Sequence, residues 1–225
     1  MSKNSADNME ASQPRRKRLA PADRRKAILA AAQTVFFQKG YTATSLDEII
    51  RLGGGSRRSI YSEFGNKRGL FNALLAEVSN SIYAILDALE SSPMTTSELL
   101  LRVGELLMEQ LATTEYNFMR IAVMESLSSP EITRLYHENG PMKIEEKVAA
   151  LLEEASDREA VGIADCRVAS RLFIGMLREE VYNRLLLQQQ ASPSIASVLK
   201  EVPTLVQVLL HGLSNTRRKS PCVPK

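Results

Sequence analysis

The chain contains no tryptophan, only two histidines and two cysteines, and 5% aromatic residues. Each shortage excludes a kind of chemistry. His137 and His211 lie in separate segments, and the sequence has no HExxH, CxxC, phosphate-loop or GxSxG pattern. Those patterns are the usual local signatures of metal-assisted hydrolysis, thiol redox chemistry, phosphate binding and a hydrolase nucleophile. No catalytic residue, metal site or cofactor is therefore expected, and an enzyme is the least favoured of the function classes. The GGGS at 53–56 reads as a turn, and the pairs Glu145–Glu146 and Glu153–Glu154 as solvated faces. Cys166 and Cys222 are far apart, so a reducing cytoplasm is expected rather than a disulfide framework. No run approaches the roughly 18 apolar residues that span a bilayer. The basic N-terminus has no apolar stretch behind it of the kind a secretory signal carries. Neither export nor a membrane partner is expected.

What is present suits a globular protein: 225 residues, 44% hydrophobic and 24% charged. The net charge is only +3, but its distribution is lopsided. Residues 15–68 carry 13 Lys/Arg against 4 Asp/Glu, a net of +9, and residues 69–216 carry 11 against 20, a net of −9. A merely solvated surface mixes its signs. One end of this molecule attracts a polyanion and the other does not.

The rest of the chain is organised around residues 44–71. Ser45 and Glu48 fit a capping box, as do Thr44 and Asp47, so the first helical residue is open by one. Leu46, Ile49 and Ile50 then form one apolar face. Gly53, Gly54 and Gly55 stop this helix, and glycine supplies the positive φ a tight inter-helix turn needs. Ser56 is a good N-cap for a second helix, on which Ile60 and Phe64 can face inward. Arg57, Arg58, Ser59, Tyr61 and Ser62 are left for the other side. The pattern is a helix-turn-helix, with the second helix presenting polar side chains to a major groove. An ordinary solvated helix is the bland alternative, but cap, glycine turn, apolar pair and basic face all agree. Ahead of it, Ile28, Ala31, Ala32, Val35 and Phe36 mark a helix from Pro21 to Lys39, with Gly40 as its stop. Arg24, Arg25 and Lys26 oppose the helix dipole there and suit phosphates better than helix stability. Phe36, Phe37 and Tyr41 are expected to pack under the two short helices.

The segment 24–75 resembles the DNA-binding domain of the TetR family of bacterial transcriptional regulators. Phe36, Gly40, Tyr41, Thr44, Ile49, Gly54, Ser56, Ile60, Tyr61, Phe64, Lys67 and Leu70 carry the resemblance. It implies that Arg57, Arg58, Ser59 and Tyr61 line the recognition helix, with one arginine bidentate to a guanine. It also implies that Thr44, Ser45, Tyr61, Ser62 and Lys67 hold phosphates of a double-stranded DNA operator. Gly55 stands where family members often have Val, which suggests a looser turn. Glu63 stands where they often have His; an acid cannot favour a phosphate, so that contact is missing or Glu63 pairs with an arginine.

The remaining pattern is helical: 67–89, 97–112, a helix from Phe118 to about 127, 131–137, 142–155, 165–190 and 195–213. Breaks are expected at 113–115 and 157–163, and a kink at Pro203. No strand pattern or internal repeat is present, so the expected fold class is all-α. The expected divisions are a basic arm at 1–20, a helix-turn-helix domain at 21–68, a helical ligand-binding and dimerisation domain at 69–215, and a basic tail at 216–225. The arm, with Arg15, Arg16, Lys17 and Arg18, either follows phosphates or a minor groove, or serves only as a solubilising tail. Residues 118–146 resemble the AefR-like C-terminal domain of part of the family. The family layout implies a homodimer through the last two long helices, and both carry more apolar residues than one buried stripe needs. It further implies a repressor, located in the cytoplasm with the nucleoid, that a small apolar or amphipathic ligand releases from DNA. Phe118, Met119, Met124, Tyr136, Met142, Met176 and Tyr182 are the candidate pocket residues, since Met and aromatic surfaces suit an adaptable apolar site. Each serves equally well as ordinary core. A DNA-binding protein with no ligand is the alternative, set against a C-terminal half larger than dimerisation requires.

Overall fold

A computed structural model describes residues 20–160, 162–186 and 195–216. The basic arm and the expected tail beyond Thr216 lie outside the described residues. Within them the chain is all-α, with no strand. The helices are α1 (Pro21–Lys39), α2 (Leu46–Gly53), α3 (Arg57–Phe64), α4 (Lys67–Asp87), α5 (Thr96–Gln110), α6 (Tyr116–Met124), α7 (Pro130–Asn139), α8 (Pro141–Glu159), α9 (Cys166–Leu186) and α10 (Ile195–Thr216).

The first three helices form a small N-terminal unit. Helix α1 starts with proline in its first turn and buries Ile28, Leu29, Ala31, Ala32, Val35 and Phe36. It ends at Gly40, whose φ of 82° turns the chain towards α2. Phe36 stacks on Tyr41 with ring centroids 5.8 Å apart and meets the edge of Phe71 at 5.2 Å. Phe71, on α4, meets Phe118 of α6 at 5.5 Å. The two halves therefore share one continuous apolar core. Phe37 departs from its expected place. It is only half-buried and packs edge-on to Phe118 at 5.1 Å, so it belongs to the seam between the halves.

Helix α4 is long and apolar enough by length and composition to cross a bilayer. Here its apolar stripe faces protein: Leu70, Phe71, Leu74, Leu75, Ile82 and Leu86 are buried in the common core. The expected break at residues 113–115 does not occur. Residues Leu111–Glu115 form a π turn that joins α5 to α6, so one helical rod runs from Thr96 to Met124. Two threonines weaken helical propensity, but Leu111 and Tyr116 are buried on either side, and packing outweighs propensity. The expected break at 157–163 also begins late. Helix α8 continues to Glu159, because Glu159 accepts a hydrogen bond from the Thr96 amide at 2.7 Å and so anchors the last turn. Helices α9 and α10 pack together and against α8 and α5, and Pro203 lies within α10. The expected extension of α9 to residue 190 falls outside the described residues.

Candidate nucleic-acid interface and effector core

The start of α2 is settled by its cap. Ser45 accepts a hydrogen bond from the Glu48 amide, and the Glu48 carboxylate accepts one from the Ser45 amide, both at 3.3 Å. The Thr44 hydroxyl is buried and donates to the Gly40 carbonyl at 2.6 Å. The turn after α2 has φ of 77° at Gly54 and 89° at Gly55, a region L-residues rarely adopt. The adjoining Gly53 is needed for space, since a Cβ there would lie 2.7 Å from the Ala27 carbonyl of α1.

Helix α3 opens with a reciprocal box between Ser56 and Ser59: the Ser56 amide donates to Ser59 Oγ at 2.8 Å and the Ser59 amide to Ser56 Oγ at 3.2 Å. Ile60 and Phe64 are buried beneath it, and Arg57, Arg58, Tyr61, Ser62 and Glu63 are exposed. Arg57 forms a two-pronged bond with Asp47 of α2, with Nε to Oδ1 at 2.8 Å. That contact holds the Asp47 carboxyl below its ordinary range, through the Arg57 hydrogen bond first. It fastens the start of α3 to the start of α2, although an ion pair this exposed adds little stability. Arg58 has no ion-pair or hydrogen-bond partner among the described residues. Glu63 pairs with Arg25 of α1 at 3.1 Å, and the Arg25 guanidinium lies 4.9 Å from the centre of the Phe64 ring. Arg25 therefore braces α3.

Lys67 is turned inward. Its ammonium donates to the carbonyls of Tyr41 and Thr44 at 2.9 Å and of Thr42 at 3.3 Å, and lies 4.5 Å from the centre of the Tyr41 ring. Burial pulls its pKa down. Three carbonyls match the three protons of an ammonium, so Lys67 clamps the α1–α2 turn from the first turn of α4. Of the sequence candidates, then, Arg57, Arg58, Tyr61 and Ser62 share the outward surface. Ser45 and Ser59 serve as caps, and Thr44 and Lys67 hold the backbone beneath.

Two arrangements were not legible in the sequence. Glu125, just past α6, accepts hydrogen bonds from the Thr42 amide and hydroxyl, at 2.8 and 2.6 Å, and from the Ser128 hydroxyl at 2.7 Å. Burial raises its pKa, but these bonds outweigh it and leave the carboxyl below its ordinary value. Arg120 of α6 also donates to the Phe37 carbonyl. The other arrangement is a buried ion pair between Glu115 and Arg178 deep in the C-terminal half. Arg178 lies on α9 among buried apolar residues such as Phe173, Leu177 and Val181. Glu115 gives no signal in the sequence, because it falls in the expected break at 113–115.

Beside that pair is a cavity of about 10 Å³, room for roughly one water, bordered by Glu115, Phe118 and Tyr136 and by apolar residues of α4 and α8. Of the pocket candidates it brings together Phe118 and Tyr136. Met119 is fully buried elsewhere in the core and Met176 is half-buried. Met124, Met142 and Tyr182 lie at the surface, Met124 69% exposed, because α6, α8 and α9 turn those positions outward.

Residues 28–74 match the family model of bacterial regulatory proteins of the tetR family. Residues 98–212 match that of the AefR-like transcriptional repressor C-terminal domain. The HTH-type transcriptional regulator YvkB of Bacillus subtilis is 37% identical over 86 residues, 38% of this chain and 44% of that protein. The HTH-type transcriptional repressor ComR of Escherichia coli is 45% identical over 51 residues, 23% of this chain and 24% of that protein. These matches span less than half the length of either relative. A TetR-family regulator from Mesorhizobium loti has the same fold, with a TM-score of 0.73 at 22% identity over 87% of this chain and 98% of that one. With its two halves matched by two models of one family, the second over half of its length, the chain belongs to the TetR family of bacterial transcriptional regulators.

Proposed function

We propose that this transcriptional regulator is a dimeric repressor that binds a near-palindromic operator and leaves it when a small molecule occupies its C-terminal half. The observation that carries the reading is the outward face of α3, where Arg58 has no partner among the described residues and stands beside Tyr61 and Ser62 while Arg57 is held by Asp47. Arg58 is the residue we assign to a base edge, and Arg57 positions the helix. Tyr61 and Ser62, with the amides at the capped starts of α2 and α3, are assigned to phosphates.

The dimer reading is supported by α9. Val168, Leu172, Gly175, Glu179 and Tyr182 recur at three- and four-residue spacing and are all exposed. A Cβ added at Gly175 would meet nothing within 4 Å, so a second helix can approach closely there. Val208 of α10 is 59% exposed and extends the apolar surface. Two copies joined there would present their α3 helices to successive major grooves, about 34–36 Å apart. We place the protein in the cytoplasm with the nucleoid, where such an operator would be.

Effector release is supported by the continuous rod from α5 to α6. One end of α6 borders the cavity and the other reaches Thr42, so a guest that moves α6 also moves the α1–α2 turn. The small size of the cavity favours a second reading, DNA binding without an effector. Footprinting of the DNA flanking the gene, with and without a compound panel, tests both. A symmetric footprint lost with one compound is expected. No footprint at modest salt overturns the operator reading, and a footprint indifferent to every compound leaves the effector-free one.

A further inference from the structure

We propose that the cavity beside Glu115, Arg178 and Tyr136 is the polar anchor of the effector site, and that it takes an uncharged, largely apolar molecule with one hydroxyl or carbonyl group. The inference rests on the effector-release reading and specifies its chemistry. Three separate elements converge here: Glu115 ends the π turn, Tyr136 is on α7 and Arg178 is on α9. All three are at least 94% buried.

The polar groups around the cavity differ in what they still need. Ser79 is satisfied, its hydroxyl donating to the Asn139 carbonyl at 2.6 Å. Glu115 and Arg178 neutralise one another. The Tyr136 phenol oxygen is enclosed beside the Glu115 carboxylate and makes no hydrogen bond of ordinary geometry among the described residues. A buried phenol left in that condition is costly, and a guest that supplies the missing partner removes the cost. The rest of the wall is apolar, including Leu75, Val78 and Ile82 of α4, Phe118 of α6 and Ile144 of α8.

Charge balance then selects the class of guest. The site already holds one anion and one cation at van der Waals range. A carboxylate guest would leave one anion uncompensated in an enclosed space, and an ammonium guest would leave one cation. A hydroxyl or carbonyl adds no charge and meets the phenol. Because the present space holds about one water, a larger guest must part α4 from α6. Lys67 begins the first of these helices and Glu125 directly follows the second, and both hold the α1–α2 turn.

The test uses the full-length protein and two matched fluorescent probes at neutral pH, uncharged 2-naphthol and anionic 2-naphthoate. Saturable 2-naphthol binding is expected, with 2-naphthoate at least tenfold weaker. Tyr136→Phe removes only the unpartnered oxygen, so it is expected to fold as the parent does and to bind 2-naphthol about tenfold more weakly, the loss of one hydrogen bond. Equal or tighter binding of 2-naphthoate overturns the anchor and leaves effector release standing, as does unchanged binding of 2-naphthol by Tyr136→Phe. Failure of both probes to bind also overturns the anchor, and the footprinting panel then decides effector release by itself.

Discussion

Glu125 accepts two hydrogen bonds from Thr42, at 2.8 Å from its amide and 2.6 Å from its hydroxyl, across 83 residues of chain. This contact ties the end of α6 to the turn between α1 and α2, and Lys67 holds the same turn from α4. The orientation of α2 and α3 is thus set from two directions by two charged side chains, each aimed at backbone as well as side-chain atoms.

Glu125→Gln replaces a carboxylate by an amide with one acceptor oxygen fewer. Stability to urea is expected to fall by about 1–2 kcal/mol. The native carboxyl is depressed below its ordinary value of 4.5. Its contribution is therefore complete above that value and lost as the pH falls through the depressed one. Below about pH 4.5 the wild type should lose stability more steeply than the variant. Parallel pH profiles would show that the Thr42 bonds contribute nothing.

Arg58→Ala is expected to weaken operator binding by about 1–3 kcal/mol and to relax selection at one base position. Arg57→Ala should reduce binding less and without that positional effect, because its guanidinium is engaged with Asp47. Titration against a set of singly substituted operators separates them. The reverse order of effects would exchange the two roles.

Lys67→Met keeps an aliphatic stem beside Tyr41 and removes all three carbonyl bonds. Unfolding stability should drop by about 1.5–3 kcal/mol, the range for bonds to a charged donor. The salt dependence of DNA binding should stay near that of the parent. A salt slope reduced by about one would instead make Lys67 a phosphate ligand.

Gly69→Ala puts a Cβ about where the Phe64 carbonyl already lies, at 1.8 Å. Backbone on both sides prevents easy relief, so a loss of about 1–3 kcal/mol in thermal or urea unfolding is expected. Wild-type stability would mean that the α3–α4 corner is not this tight.

Leu172→Glu places a charge in the middle of the exposed α9 stripe, at a position 51% exposed in the single chain. The fold should survive, and sedimentation should show a monomer with weakened operator binding. A dimer of unchanged mass would move the interface elsewhere.

Local sequence was enough for the parts that local physics decides. Ser56 as a cap, a glycine turn after α2, and Ile60 and Phe64 as the inward pair follow from short-range rules and stand as read, whereas the choice of Ser45 over Thr44 and the place of Gly53 as the last residue of α2 came from the structure. The charge asymmetry marking the basic end is likewise a property of order along the chain. What the sequence could not supply was the partner of each long side chain. Lys67 read as a phosphate ligand because its position at a helix start was visible and the three carbonyls folded back over it were not. The π turn was hidden for a related reason: two threonines weaken a helix locally, and only the buried Leu111 and Tyr116 on either side carry it through. The Glu125–Thr42 and Glu115–Arg178 contacts join residues 83 and 63 positions apart. No periodicity encodes such pairs; they exist because the packing of α6 against α1 and α9 brings those side chains together and excludes the water that would otherwise have served them.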